Sequence, residues 1–145
     1  MSIRFRLAMV FLSAALLAPL AAFASNADLV AAAKAGDAAG VSALIDGGAS
    51  PNATDDDGDT ALMLASGEGH ADVAALLVEK GAAVNAADRY GWTALMFAAG
   101  KGHGGVVKLL LDSGASADAK DIYGWTALMV AERAEDAEEV VGLLK

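Results

Sequence analysis

Three sets of residues have the types and spacing from which chemistry could be built. His70 and His103, the two histidines, stand 33 residues apart, each directly after a glycine. Asp55-Asp56-Asp57-Gly58-Asp59 is a dense run of acids. Two aromatic pairs, Tyr90 with Trp92 and Tyr123 with Trp125, flank Gly91 and Gly124 at the same interval. Catalysis needs convergent groups in complementary roles. The chain has no H-E-x-x-H, no phosphate-cradling glycine loop and no G-x-S-x-G, and Ser66-Gly67-Glu68-Gly69 has no nucleophile elbow around it. The acid run departs from a calcium loop: its glycine is fourth instead of sixth, and Ser66 falls where a bidentate Glu is required. It reads as a solvated turn. No catalytic residue, metal site or cofactor is expected. The aromatics remain, and Trp and Tyr dominate binding hot spots because they bury large areas at small entropic cost.

A repeat positions these residues. Tyr90-Gly91-Trp92-Thr93-Ala94-Leu95-Met96 recurs as Tyr123-Gly124-Trp125-Thr126-Ala127-Leu128-Met129, and the same frame stands upstream as Asp57-Gly58-Asp59-Thr60-Ala61-Leu62-Met63. Asp55, Asp88 and Asp121 keep the step, as do Ala65, Ala98 and Ala131. A fixed period of this size marks one supersecondary unit stacked several times. Within a unit, the glycine supplies a tight turn and Thr60 or Thr93 an N-cap hydroxyl. Ala61 and Ala65, like Ala94 and Ala98, put small side chains on one helix face. Val73, Leu76 and Leu77, and likewise Val106, Leu109 and Leu110, have the spacing of a buried stripe. Helices of about eight to ten residues are unstable alone, so each unit must lean on its neighbours.

The pattern D-x-x-G-x-T-A-L-M-x-x-A, followed by Gly-His, Leu-Leu and Gly-Ala, resembles the ankyrin repeat from about Asn26 to Lys145. The resemblance implies an all-α solenoid of stacked helix-turn-helix units with hairpin fingers. An N-terminal cap is expected at about 25–50, with Asn26 as helix cap, full repeats at about 51–83 and 84–116, and a C-terminal cap at about 117–145. The last unit carries Glu135-Asp136 in place of Gly-His and one inserted residue. Where the family usually has T-P-L-H this chain has T-A-L-M, so Met63, Met96 and Met129 are expected to fill the histidine's space by packing. His70 and His103 fall on the family's Gly-His and are expected to be structural. Gly104 and Gly105, two additional glycines opening a helix, mark the third unit as soft, with early hydrogen exchange.

By the same resemblance the fingers project toward partners. Tyr90, Trp92, Tyr123 and Trp125 are expected together at their tips, with Arg89, Asp57 and Asp59 beside them. A concave helix face would add Ser66, Glu68, Ala99 and Lys101. The aromatics read equally as an interface or as a ladder packing finger on finger, and the two are compatible. The function implied is protein–protein binding by a monomer. The alternative is a stabilising, chaperone-like escort of a periplasmic enzyme, held by charge instead of a hot spot. A hydrolase or small-ligand protein is disfavoured.

Composition narrows the field further. The chain of 145 residues has no cysteine, which excludes disulfides, thiolate metal sites, a Cys nucleophile and a lipoprotein anchor. Its first 24 residues hold Arg4 and Arg6 and no acid, so the remainder carries 8 Lys+Arg against 19 Asp+Glu, a net −11. Phosphate backbones repel such a domain, so no nucleic-acid partner is expected. The apolar run from Leu7 to Leu17, Pro19 and Ala22-Phe23-Ala24 predict a secretory signal peptide over 1–24, cleaved after Ala24 and leaving no stable membrane insertion. In a Gram-negative host the mature protein would be periplasmic.

Overall fold

Turn glycine, threonine, small apolar run, second glycine and apolar stripe follow one another in the second and third units, and the fourth departs only at the second glycine. The structure, a computed structural model, shows what this order builds over residues 26–145, the described part of the chain. The predicted leader and its cleavage point lie outside the described residues. Eight helices follow: α1 over 26–35, α2 Ala38–Asp46, α3 Ala61–Gly67, α4 Ala71–Glu79, α5 Ala94–Gly100, α6 Gly104–Asp112, α7 Ala127–Glu132 and α8 Glu138–Leu144. They form two layers. Helices α3, α5 and α7 pack in sequence on one side, and α2, α4, α6 and α8 on the other. Among the described residues no helix is long and apolar enough to cross a membrane.

The first layer packs closely because its contact positions are small. Ala61, Ala65, Ala94, Ala98, Ala127 and Ala131 are all buried. Leu62 and Leu95 meet Val73, Leu77, Val106 and Leu110 from the second layer in one continuous core. Burying each of these leucines contributes about 1.5–3 kcal/mol. Each first-layer helix starts at a threonine whose hydroxyl accepts from the backbone N–H three residues on: Thr60 from Met63, Thr93 from Met96, Thr126 from Met129. Such a cap is typically worth about 1 kcal/mol.

The methionines do not act alike. Met63 and Met96 are buried, and the Met63 sulfur, 3.3 Å from the Thr60 N–H, also accepts a hydrogen bond. A thioether is a weak acceptor, yet here it completes the reciprocal cap that Glu or Gln usually supplies. Met129 departs from the expected packing role. It is 46% exposed because α7 is the outermost described helix of its layer.

Two further expectations are corrected. Ser66 and Ala99, read as part of an open concave face, are wholly buried. They belong to the small-residue positions through which stacked helices touch, and no partner can reach them. Asn26 is no helix cap; it already lies within α1. Its Oδ1 accepts from Ser50 N–H at 2.9 Å, as Asn52 accepts from Ala83 and Asn85 from Ser116. Ser50, Ala83 and Ser116 are one step apart, and each of these closing N–H groups finds its acceptor near the start of its own unit.

The two additional glycines of the third unit differ. Gly104 opens α6 with the Glu139 carboxylate where a Cβ would stand, whereas Gly105 faces open space. In the fourth unit the inserted residue is taken up in the turn before α8, where Asp136 adopts φ +56°.

Candidate functional site

The histidines act as staples. His70 Nε2 lies 3.0 Å from the Lys34 carbonyl, and His103 Nε2 lies 3.0 Å from the Gly67 carbonyl. A carbonyl only accepts, so Nε2 carries the proton in both rings. Each ring covers a glycine of the preceding unit, Gly36 or Gly69, where a Cβ would come within 2.8 Å. These imidazoles join consecutive units and do not converge on a common substrate position. Among the described residues no group of acids and histidines is placed to hold a metal ion.

The fingers are shaped by a repeated aspartate. Asp55 Oδ1 accepts from the N–H groups of Asp57 and Asp59, Asp88 Oδ1 from those of Tyr90 and Trp92, and Asp121 Oδ1 from those of Tyr123 and Trp125. This local bonding fixes the turn and aims its flanking side chains. The turn glycine is obligatory in the finger of the third unit, which, like the others, takes its unit's number. Gly91 has φ +81°, and a Cβ there would meet the Asp121 Cα at 3.0 Å. At that approach Ile122 N–H donates to the Tyr90 carbonyl at 3.0 Å, joining the two fingers.

Side chains join the fingers less uniformly. The Trp92 indole N–H donates to Asp121 Oδ2 at 3.1 Å. Partial desolvation opposes ionisation of Asp121, but the donors on Trp125, Tyr123 and Trp92 outweigh it and hold its carboxyl below the ordinary carboxylate value. One step up the stack the equivalent pair is Asp59 and Asp88. There desolvation first, then a hydrogen bond to Asp88 and the charges of Asp55, Asp88 and Asp57, push the Asp59 carboxyl up to about 6.

The aromatics divide between the two expected roles. Trp92 is half-buried and meets Phe97 edge-on, with ring centroids 5.5 Å apart at 78°. It serves the ladder as well as the surface. Trp125 is half-buried beneath Arg133, whose Cζ stands 5.1 Å from the ring centroid. Tyr90 and Tyr123 are exposed. A hollow of about 370 Å³ is lined by Trp92, Asp121, Tyr123, Trp125, Val130 and Arg133. A second, of about 350 Å³, is lined by Trp92, Phe97, Gly100, Lys101, Val130, Arg133 and Ala134. Sharing Trp92, Val130 and Arg133, they make one open trough along the third and fourth units. A larger hollow of about 720 Å³ lies over α7 and α8, but its walls carry Glu132, Asp136, Glu138 and Lys145 and no aromatic side chain.

Of the residues expected at the site, Trp92, Tyr123, Trp125 and Lys101 line the trough, and Tyr90 does not. Arg89 donates to the Asp56 carbonyl at 2.8 Å, tying the third finger to the second. Asp57 and Glu68 are exposed on the second unit, and Asp59 is half-buried. Sequence reasoning missed Phe97, Asp121, Val130 and Arg133 as parts of the trough. The period held a signal for one of them. Arg133 stands where the two preceding units have Gly67 and Gly100, and a large cation replacing a glycine at a repeated position marks a specialised surface.

No curated protein matches the chain. A family model of ankyrin repeats, in three copies, matches residues 29–121, ending at the aspartate that opens the finger of the divergent fourth unit. With that match over well more than half of its length, and with paired helices stacked on glycine-turn fingers, the chain belongs to the ankyrin-repeat family.

Proposed function

We propose that this protein binds a partner protein through its third and fourth fingers, with the aromatic trough as anchor. Ankyrin repeats are generally protein–protein interaction modules. The observation that carries the finer reading is the trough itself, lined by two tryptophans and continuous with exposed Tyr123. Large aromatic side chains over an apolar hollow are the usual centre of an interface. The leader would deliver the protein across a bacterial inner membrane, so the partner would be an envelope protein. Its action there is binding, not turnover.

Pull-down from an envelope fraction tests this reading. Trp125→Ala should abolish recovery of the partner while the melting temperature stays close to that of the wild type. Recovery unaffected by Trp125→Ala and lost in high salt would instead favour the charge-held escort of a periplasmic enzyme.

A further inference from the structure

The face that carries the trough changes chemical character along the stack, and the repeat register makes the change readable. The position of Trp125 is held by Trp92 one step up and by Asp59 two steps up. Tyr123 is preceded in the same way by Tyr90 and Asp57, and Ala134 by Lys101 and Glu68. The face is therefore acidic at the second unit and aromatic with cations at the third and fourth.

Among the described residues none of the charges at either end is spent in an ion pair, although Arg133 also lies over the Trp125 ring. The one salt bridge among the described residues joins Lys80 to Asp46 and involves none of these groups. Lys101 and Arg133 are both exposed at the rim of the trough. The single carboxylate in its walls, Asp121, is occupied by the N–H groups of Tyr123, Trp125 and Trp92. Beside the second unit, Arg89 is turned to the Asp56 carbonyl. Asp57 and Glu68 there are exposed and make no ion pair among the described residues.

We infer that the partner presents an extended segment of split charge: an apolar side chain with a neighbouring carboxylate for the trough, Lys101 and Arg133, and a cation further along for Asp57 and Glu68. This deepens the binding reading above and rests on it. Packed helices lie about 8–10 Å apart, so the two steps from Arg133 to the second unit span about 16–20 Å. An extended chain advances about 3.3 Å per residue, which places the two charges about five or six residues apart. A uniformly basic segment would meet Lys101 and Arg133 unfavourably, and a uniformly acidic one would meet the second unit. Beyond about 8 Å at physiological salt the remaining charge of the domain is screened, so these local groups decide.

A random 12-residue peptide library displayed on phage, selected on the immobilised full chain, tests the inference. Enriched peptides should carry Asp or Glu beside an apolar or aromatic residue, with Lys or Arg about five or six positions away. A synthetic peptide of the enriched sequence should lose about tenfold in affinity on Arg133→Glu. Arg133→Gln, the gentler change, should lose less. The double change Asp57→Lys with Glu68→Lys should erase the preference for the peptide's basic end and keep the acidic one, with circular dichroism confirming that each variant is folded. Peptides that need Trp125 but show no split of charge, or whose affinity ignores Arg133, overturn the inference and leave the trough as the binding site. Selected peptides that bind Trp125→Ala as well as the wild type overturn both.

Discussion

The Trp92 indole N–H reaches the Asp121 carboxylate at 3.1 Å and joins the third finger to the fourth, while the equivalent pair one step earlier is Asp59 against Asp88. One joint is a neutral donor on an anion. The other is two carboxyl groups that hydrogen-bond only when one is protonated. The stack is therefore uneven in strength although its sequence is periodic.

The first consequence concerns pH. The folded Asp59 carboxyl is raised from 3.8 to about 6. A raised folded value means that its contribution is full below the unfolded value near 4 and is lost as pH rises through 6. Asp59→Asn supplies an amide donor at every pH. Denaturant unfolding should find the variant more stable than the wild type at pH 7.5 by up to about 1 kcal/mol, allowing for solvent screening, and the gap should narrow as pH falls through 6 and close only below the unfolded value near 4. A difference independent of pH would refute this account of the joint.

Trp92→Phe keeps the edge-on contact with Phe97 in outline and removes only the donor to Asp121. A hydrogen bond to a charged group contributes about 1.5–3 kcal/mol, less where water can replace it. The variant should unfold at a lower denaturant concentration than the wild type, and the Asp121 carboxyl should titrate closer to its ordinary value by NMR. A Trp92→Phe variant as stable as the wild type would return Trp92 to the interface role alone.

Ser66 is wholly buried, and its hydroxyl has no hydrogen-bond partner among the described residues. The repeat places Ala99 at the same position one step on. Removing a buried unsatisfied polar group relieves about 1–3 kcal/mol of desolvation cost. Ser66→Ala should raise the melting temperature; a fall would mean that the hydroxyl is bonded within its own helix.

In α6, Gly105 lies in open space and gains nothing from lacking a side chain. Gly105→Ala should add about 0.5–1 kcal/mol and slow hydrogen exchange at the start of α6. Gly104→Ala should gain less, since its Cβ must displace the Glu139 carboxylate. Protection at the start of α6 equal to that at the start of α4 in the unaltered protein would remove the basis for both expectations.

The fold was legible because its determinants are local and repeated. Turn glycines, capping threonines and the stripe Val73, Leu76, Leu77 each state their role within a few residues. Ser66 and Ala99 were misread because a small residue fits a helix contact and an open face equally well, and only the placement of the next helix decides. Trp92 illustrates the same limit. Its position in the finger follows from the repeat, but its donor role depends on Asp121, 29 residues away in the chain. Arg133 was hidden for a simpler reason, since it lies in the unit that departs most from the period.

The unequal burial of the three repeat methionines governs how the protein ages under oxidants. Peroxide attacks thioethers according to access, and sulfoxide turns a greasy side chain into a polar one. Met63 and Met96 are sealed inside, whereas Met129 stands 46% exposed. Peptide mapping after mild peroxide should find sulfoxide at Met129 well before the other two, with helical content retained. The outermost helix thus absorbs the lesion where it does least harm, and the interior is spared.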